Sequence, residues 1–96
     1  MESLVDFEVH IPEGTLESEV NARRKAEAAS SARLGREGHL IRLWRPHAVS
    51  GRAIGLYRTD SAPDLDTMLS ALPMADWMRV TVTELESHPN DPGNLV

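Results

Sequence analysis

The chain has 96 residues, a net charge of −5 and no cysteine. A single domain of that length buries only about 60–65% of the surface its unfolded form exposes, a size often completed by a partner subunit. The charge argues against nucleic acid as a partner, because phosphate contacts need a basic face. The missing cysteines exclude a disulfide framework, a thiolate nucleophile and a cysteine–zinc site. No basic segment leads into an apolar run at the N-terminus, and no stretch approaches the roughly 20 apolar residues of a membrane span. The expectation is a soluble, unexported, cytoplasmic protein. Its positive charge is nearly all arginine, nine residues against the single Lys25. Arginine suits bidentate recognition of carboxylates, although a GC-rich genome favours the same bias.

Residues 4–11 alternate apolar Val5, Phe7, Val9 and Ile11 with Asp6, Glu8 and His10, the period of a strand with one buried face. Pro12 and Gly14 end it. From about Thr15 to Glu37 the composition turns to alanine, glutamate and arginine, predicting a long helix. Thr15 is its expected N-cap, Glu17 and Glu19 stand at the positive end of its dipole, Arg33 and Arg36 lie in the last turn, and Gly38 is its left-handed stop. A second strand is predicted over residues 39–47, with Leu40, Arg42 and Trp44 on one face and Ile41, Leu43 and Arg45 on the other. Ser50-Gly51 marks a hairpin turn, and residues 52–59 return as a third strand containing Ile54 and Leu56. Ser61 caps a short second helix whose stripe of Leu65, Met68, Leu69 and Leu72 is core, and Pro73 closes it. Residues 77–86, dense in β-branched side chains, predict a fourth strand.

The order β-α-β-β-α-β is that of the ferredoxin-like α+β fold, four antiparallel strands covered on one face by two helices. Residues 1–86 form this single domain. Residues 87–96 are a tail with little apolar content, expected to pack on a neighbouring subunit. The bare sheet face calls for a second copy, giving a dimeric α+β barrel type of assembly.

The first helix carries the clearest anomaly. At about 100° per residue its large apolar residues, Leu16, Val20 and Leu34, fall on one stripe, and Glu27 stands in the middle of it, flanked by Arg23, Arg24, Ser30 and Ser31. A carboxylate turned toward a core has a shifted pKa and is a candidate general base. The alternative is a helix rotated to pack Ala22, Ala26, Ala29 and Ala32, which leaves Glu27 near solvent.

Several short motifs resemble the muconolactone Δ-isomerase family. They are Arg33-Leu34-x-Arg36-Glu37-Gly38, then Leu43-Trp44-Arg45 closing the next strand, Leu72-Pro73 after the second helix, and His88-Pro89 after the last strand. Their order and spacing run nearly the whole chain. The resemblance implies a ferredoxin-like fold assembled as a dimer or larger ring, without a cofactor, acting on a small anionic lactone in aromatic-compound catabolism (the β-ketoadipate pathway). It places the family's acid/base glutamate at Glu27. Arg24 stands where the family has a lysine; it keeps the charge but has a pKa too high to act as a base. The hairpin Pro46-His47-Ala48-Val49-Ser50-Gly51-Arg52-Ala53 departs from the family pattern and needs an inserted residue. The family's substrate contacts there are therefore not carried over. Leu40 and Ile41 likewise replace the tryptophan and arginine usual before Leu-Trp-Arg.

The implied reaction is a 1,3-proton shift, with Glu27 the base in an apolar setting beside Leu34 and Trp44. Arg45, Arg42, Arg24 and Arg52 are the candidates for the substrate carboxylate and for the developing oxyanion. A chloromuconolactone dehalogenase would share the proton abstraction. A non-catalytic small-molecule binding or structural module, with Glu27 merely paired to Arg23 or Arg24, and a monooxygenase on the same scaffold are the alternatives from other classes. The histidines, His10, His39, His47 and His88, lack metal-ligand spacing and are read as surface or interface residues. Trp44 and Trp77 are read as core or interface anchors.

Overall fold

The structure is a computed structural model that describes residues 1–95. Val96, the end of the expected tail, lies outside them. The elements are β1 (Glu2–Val9), α1 (Glu17–Arg36), β2 (Leu40–Trp44), β3 (Arg52–Arg58), α2 (Ala62–Ser70), a 3₁₀ turn (Ala75–Trp77), β4 (Met78–Leu85) and a final 3₁₀ turn (Pro92–Leu95). The strands form one sheet in the order β2-β3-β1-β4, with antiparallel neighbours throughout. This is the α+β ferredoxin-like arrangement expected from the element order.

Alternation along β1 sets the two faces. Ser3, Val5 and Phe7 are buried under the helices, and their β3 partners Tyr57, Gly55 and Ala53 share that face. Leu34, Leu40, Leu65, Leu69 and Leu72 complete the core. The other face carries Leu4, Ile54 and Leu56 between two cross-strand ion pairs, Arg52 with Asp6 at 2.8 Å and Arg58 with Glu2 at 2.9 Å.

Local chemistry explains the boundaries. Strand β1 starts at Glu2, because Glu2 and Ser3 pair on both sides, and stops at Val9, leaving His10 and Ile11 outside. Thr15 is not the cap of α1. Its hydroxyl donates to the Pro12 carbonyl at 2.6 Å and closes the preceding turn, so Leu16 takes the cap position with no side-chain bond and is 69% exposed. The C-terminus follows the expectation. Gly38 adopts φ +80°, its N–H reaches the Gly35 carbonyl and the His39 N–H reaches that of Leu34, the paired bonds of a Schellman ending. Ser61 caps α2 by accepting from the Asp64 N–H at 3.3 Å.

Strand β2 is shorter than expected and its parity differs. Leu40 pairs with Tyr57 and Arg42 with Leu56, so Ile41 is an extra residue bulged out of the ladder. Leu40 and Leu43 therefore share the helix-covered face, while Arg42 and Trp44 point to the other. The tail after β4 is folded locally by bonds such as Ser87 Oγ to Asp91 and Asn94 Nδ2 to the His88 carbonyl.

Candidate active site

Helix α1 lies on the sheet through Val20, Arg23, Glu27, Ser30, Ser31 and Leu34, all at least partly buried, and its alanines at 22, 26, 29 and 32 are exposed. The alanine-packed rotation is therefore not the one adopted, and Glu27 faces the sheet. Its Oε1 accepts a hydrogen bond from the Met74 N–H at 3.3 Å. Among the described residues its Oε2 is buried without a partner.

Around the carboxyl is a cavity of about 130 Å³ walled by Phe7, Val9, Ser31, Leu43, Ala53, Tyr57, Leu72, Met74 and Met78. Burial in this apolar setting pushes the Glu27 carboxyl above its usual range, and the Met74 N–H opposes the shift in part. The phenol of Tyr57 is pushed up to about 12 by its own burial and by the nearby Glu27 charge.

The segment that supplies Met74 is fastened to α1 by Arg23. Its Nη1 donates to the Pro73 carbonyl at 2.9 Å and to Asp76 Oδ1 at 2.6 Å, and its guanidinium lies 4.4 Å from the centre of the Trp77 ring. The hydrogen bond from Arg23 holds the Asp76 carboxyl below its usual range. Arg23 is thus bound to the 73–77 segment and not to Glu27.

Arg24, Arg45 and Arg52 line a second cavity with the hairpin residues 46–51, about 690 Å³ in volume. The two linings share no residue but are neighbours in sequence. Arg24 precedes Glu27 by one turn of α1, Arg45 follows Leu43 by two residues, and Arg52 adjoins Ala53. Arg52 is also bound through Nε and Nη2 to Asp6. Arg42 lies 5.3 Å from the centre of the Trp44 ring, on the face turned away from the helices. The structure so corrects two expectations: Trp44 does not wall the Glu27 cavity, and Arg42 is across the sheet from it, because the bulge at Ile41 inverts their parity.

Tyr57, the Met74 amide and the Arg23–Asp76 pair carry no clear signal in the sequence. The only local signal for the first was the alternation Ala53, Gly55, Tyr57, two small residues that leave room before an aromatic one. The histidines stand away from the carboxyl. His10 contacts Glu8, His39 donates to the Arg58 carbonyl, His88 accepts from the Asn90 N–H, and His47 lines the second cavity. Among the described residues no cluster of three histidine, aspartate or glutamate side chains is placed to hold a metal, and no helix is long and apolar enough to cross a membrane.

The class that the fold defines is a small ferredoxin-like α+β protein. The chain belongs to the muconolactone delta-isomerase family, whose sequence model matches residues 1–91. It is 30% identical over 88 residues to muconolactone Delta-isomerase of Acinetobacter baylyi, covering 90% of this chain and 88% of that one. The crystal structure of a muconolactone isomerase superposes with a TM-score of 0.88 at 26% identity, over 96% of this chain and 95% of that one. The fold alone is shared with a 5-chloro-2-hydroxyhydroquinone dehydrochlorinase of Burkholderia phenoliruptrix, at TM-score 0.62 and 12% identity over 92% and 96% of the two chains.

Proposed function

We propose that this protein isomerises muconolactone, or a close relative of it, to the corresponding enol-lactone, with Glu27 as the single acid/base. The observation that carries the proposal is a glutamate in an apolar cavity, its carboxylate made more basic by burial, in a chain of this family.

The substrate is an unsaturated five-membered lactone whose sp³ ring carbon bears a carboxymethyl arm. Glu27 removes the proton from that carbon, and the electron pair delocalises through the ring double bond onto the lactone carbonyl as a dienolate. Glu27 then returns the proton to the ring carbon beside the carbonyl, and the double bond ends at the carbon bearing the arm. One carboxyl group performs both transfers and is restored, so atoms and charge balance. The arm's carboxylate is anionic and suits the neighbouring cavity, where Arg24 and Arg45 supply guanidinium donors.

The direct test is the absorbance change of muconolactone on mixing with the purified protein. Turnover supports the proposal, and no change at substrate-saturating concentration refutes it. Chloride release from a chlorinated muconolactone, without isomerisation of the parent, would instead assign a dehalogenase.

A further inference from the structure

We infer that the hydroxyl of Tyr57 is the hydrogen-bond donor that receives the negative charge Glu27 generates, making Tyr57 a second catalytic residue in the apolar cavity. The inference rests on the isomerase reading above and concerns a role that the motifs in the sequence did not disclose.

A dienolate concentrates charge on the lactone carbonyl oxygen, and a preorganised donor at that point is where an active site lowers the barrier most. The arginines are displaced from this task. Arg24, Arg45 and Arg52 line the second cavity, and Arg42 lies across the sheet. The Met74 N–H is already bound to Glu27. Among the described residues walling the Glu27 cavity, only Tyr57 and Ser31 bear hydroxyl groups. Ser31 follows Glu27 by four residues on α1, so the two side chains rise from the same wall. A base that attacks one carbon of a ring, and a donor that meets an oxygen at the ring's edge, are better placed on different walls. Tyr57 enters from β3, on the sheet side.

The tyrosine is also held in place. Its ring leans back along β3 across Gly55, where a Cβ would stand 2.7 Å from the Tyr57 Cε1, so only glycine leaves that path open. Phe7 flanks the ring at 6.2 Å between centroids, and the residue is 3% exposed. A phenol kept neutral to about 12 retains its proton for donation at any physiological pH.

The test uses Tyr57→Phe, which removes the hydroxyl and keeps the ring, together with tetronate, a stable five-membered lactone whose enolate oxygen is anionic at neutral pH. Tyr57→Phe should lower kcat on muconolactone by about 10²-fold with a smaller change in KM, and should weaken tetronate binding at least about tenfold by titration calorimetry. As Tyr57 is the sole tyrosine, a ¹³Cζ-tyrosine label on the unaltered sequence gives one NMR signal, which should move when tetronate is added. Unchanged kcat in Tyr57→Phe, an unmoved signal, or a larger loss from Ser31→Ala than from Tyr57→Phe overturns the inference. If the wild type leaves muconolactone unchanged yet binds tetronate through Tyr57, the isomerase reading fails and the donor role stands.

Discussion

Arg23 and Asp76, 53 positions apart in the sequence, meet at 2.6 Å. Arg23 precedes Glu27 by four residues on α1, and Asp76 follows Met74 by two, so the pair ties the catalytic candidate's helix to the segment whose amide binds it. Asp76→Ala should loosen that segment and weaken the Met74 bond. The bond holds the Glu27 pKa down, so its loss should move the acid limb of kcat/KM to higher pH. A pH profile superimposable on the wild type would show that the segment keeps its place without the pair.

Glu27→Gln should lower turnover by roughly 10²–10⁴-fold, the usual worth of a positioned proton-transfer group. In the wild type the acid limb of kcat/KM should lie above the ordinary glutamate value of about 4.3, because burial raises this carboxyl.

The same substitution should stabilise the fold at neutral pH. A raised carboxyl pKa means that the native state binds more protons than the unfolded chain between the two pKa values. The wild-type stability therefore falls as pH rises from the unfolded value through the folded one, and is fully present only below the former. Glutamine has no such loss. The melting-temperature difference between Glu27→Gln and wild type should be small near pH 4 and grow to a positive plateau above the folded pKa. A constant difference across pH would contradict the burial argument.

Arg45→Ala should act on binding. Losing a charge-assisted hydrogen bond costs about 1.5–3 kcal/mol, which corresponds to roughly a ten- to hundredfold rise in KM for the carboxylate-bearing substrate. A fall in kcat with KM unchanged would place Arg45 in the proton transfer instead.

Among the described residues no helix covers the face that carries Leu4, Ile54, Leu56 and Trp44, and we expect a second copy to cover it. Leu56→Glu should lower the sedimenting mass at micromolar concentration, and deletion of residues 88–96 should weaken the assembly through the tail. A wild type that sediments as a monomer would refute both.

The architecture was legible because it rests on local patterns: the two-residue period of β1, the Ser61 cap, the leucines of α2 and the Gly38 stop. Glu27 was legible because the helix has so few large apolar residues that a carboxylate among them stands out, and the family motifs lead to the same position. What escaped depends on contacts between distant residues. Nothing around Thr15 shows that its hydroxyl prefers the Pro12 carbonyl to the helix. Nothing near Arg23 announces Asp76, and Tyr57 joins the cavity only once β3 is laid beside β1 and the ring crosses Gly55. Arg42 and Trp44 share a face as the alternation predicts, but Leu40 leaves it for the helix-covered side, because the bulge at Ile41 breaks the two-residue period that the pattern presumes.

That break has a consequence for the length of the chain. With Ile41 removed, Leu40 and Arg42 become neighbours on β2, and the pairs Leu40 with Tyr57, Arg42 with Leu56, Leu43 with Gly55 and Trp44 with Ile54 form an uninterrupted ladder. Ile41 is thus a spare link in β2: it can be deleted with every other side chain keeping its face, whereas deleting Leu43 would pull Trp44 under the helices and Arg45 away from the hairpin. The deletion of Ile41 should give a folded protein with a cooperative thermal transition, and the deletion of Leu43 should not.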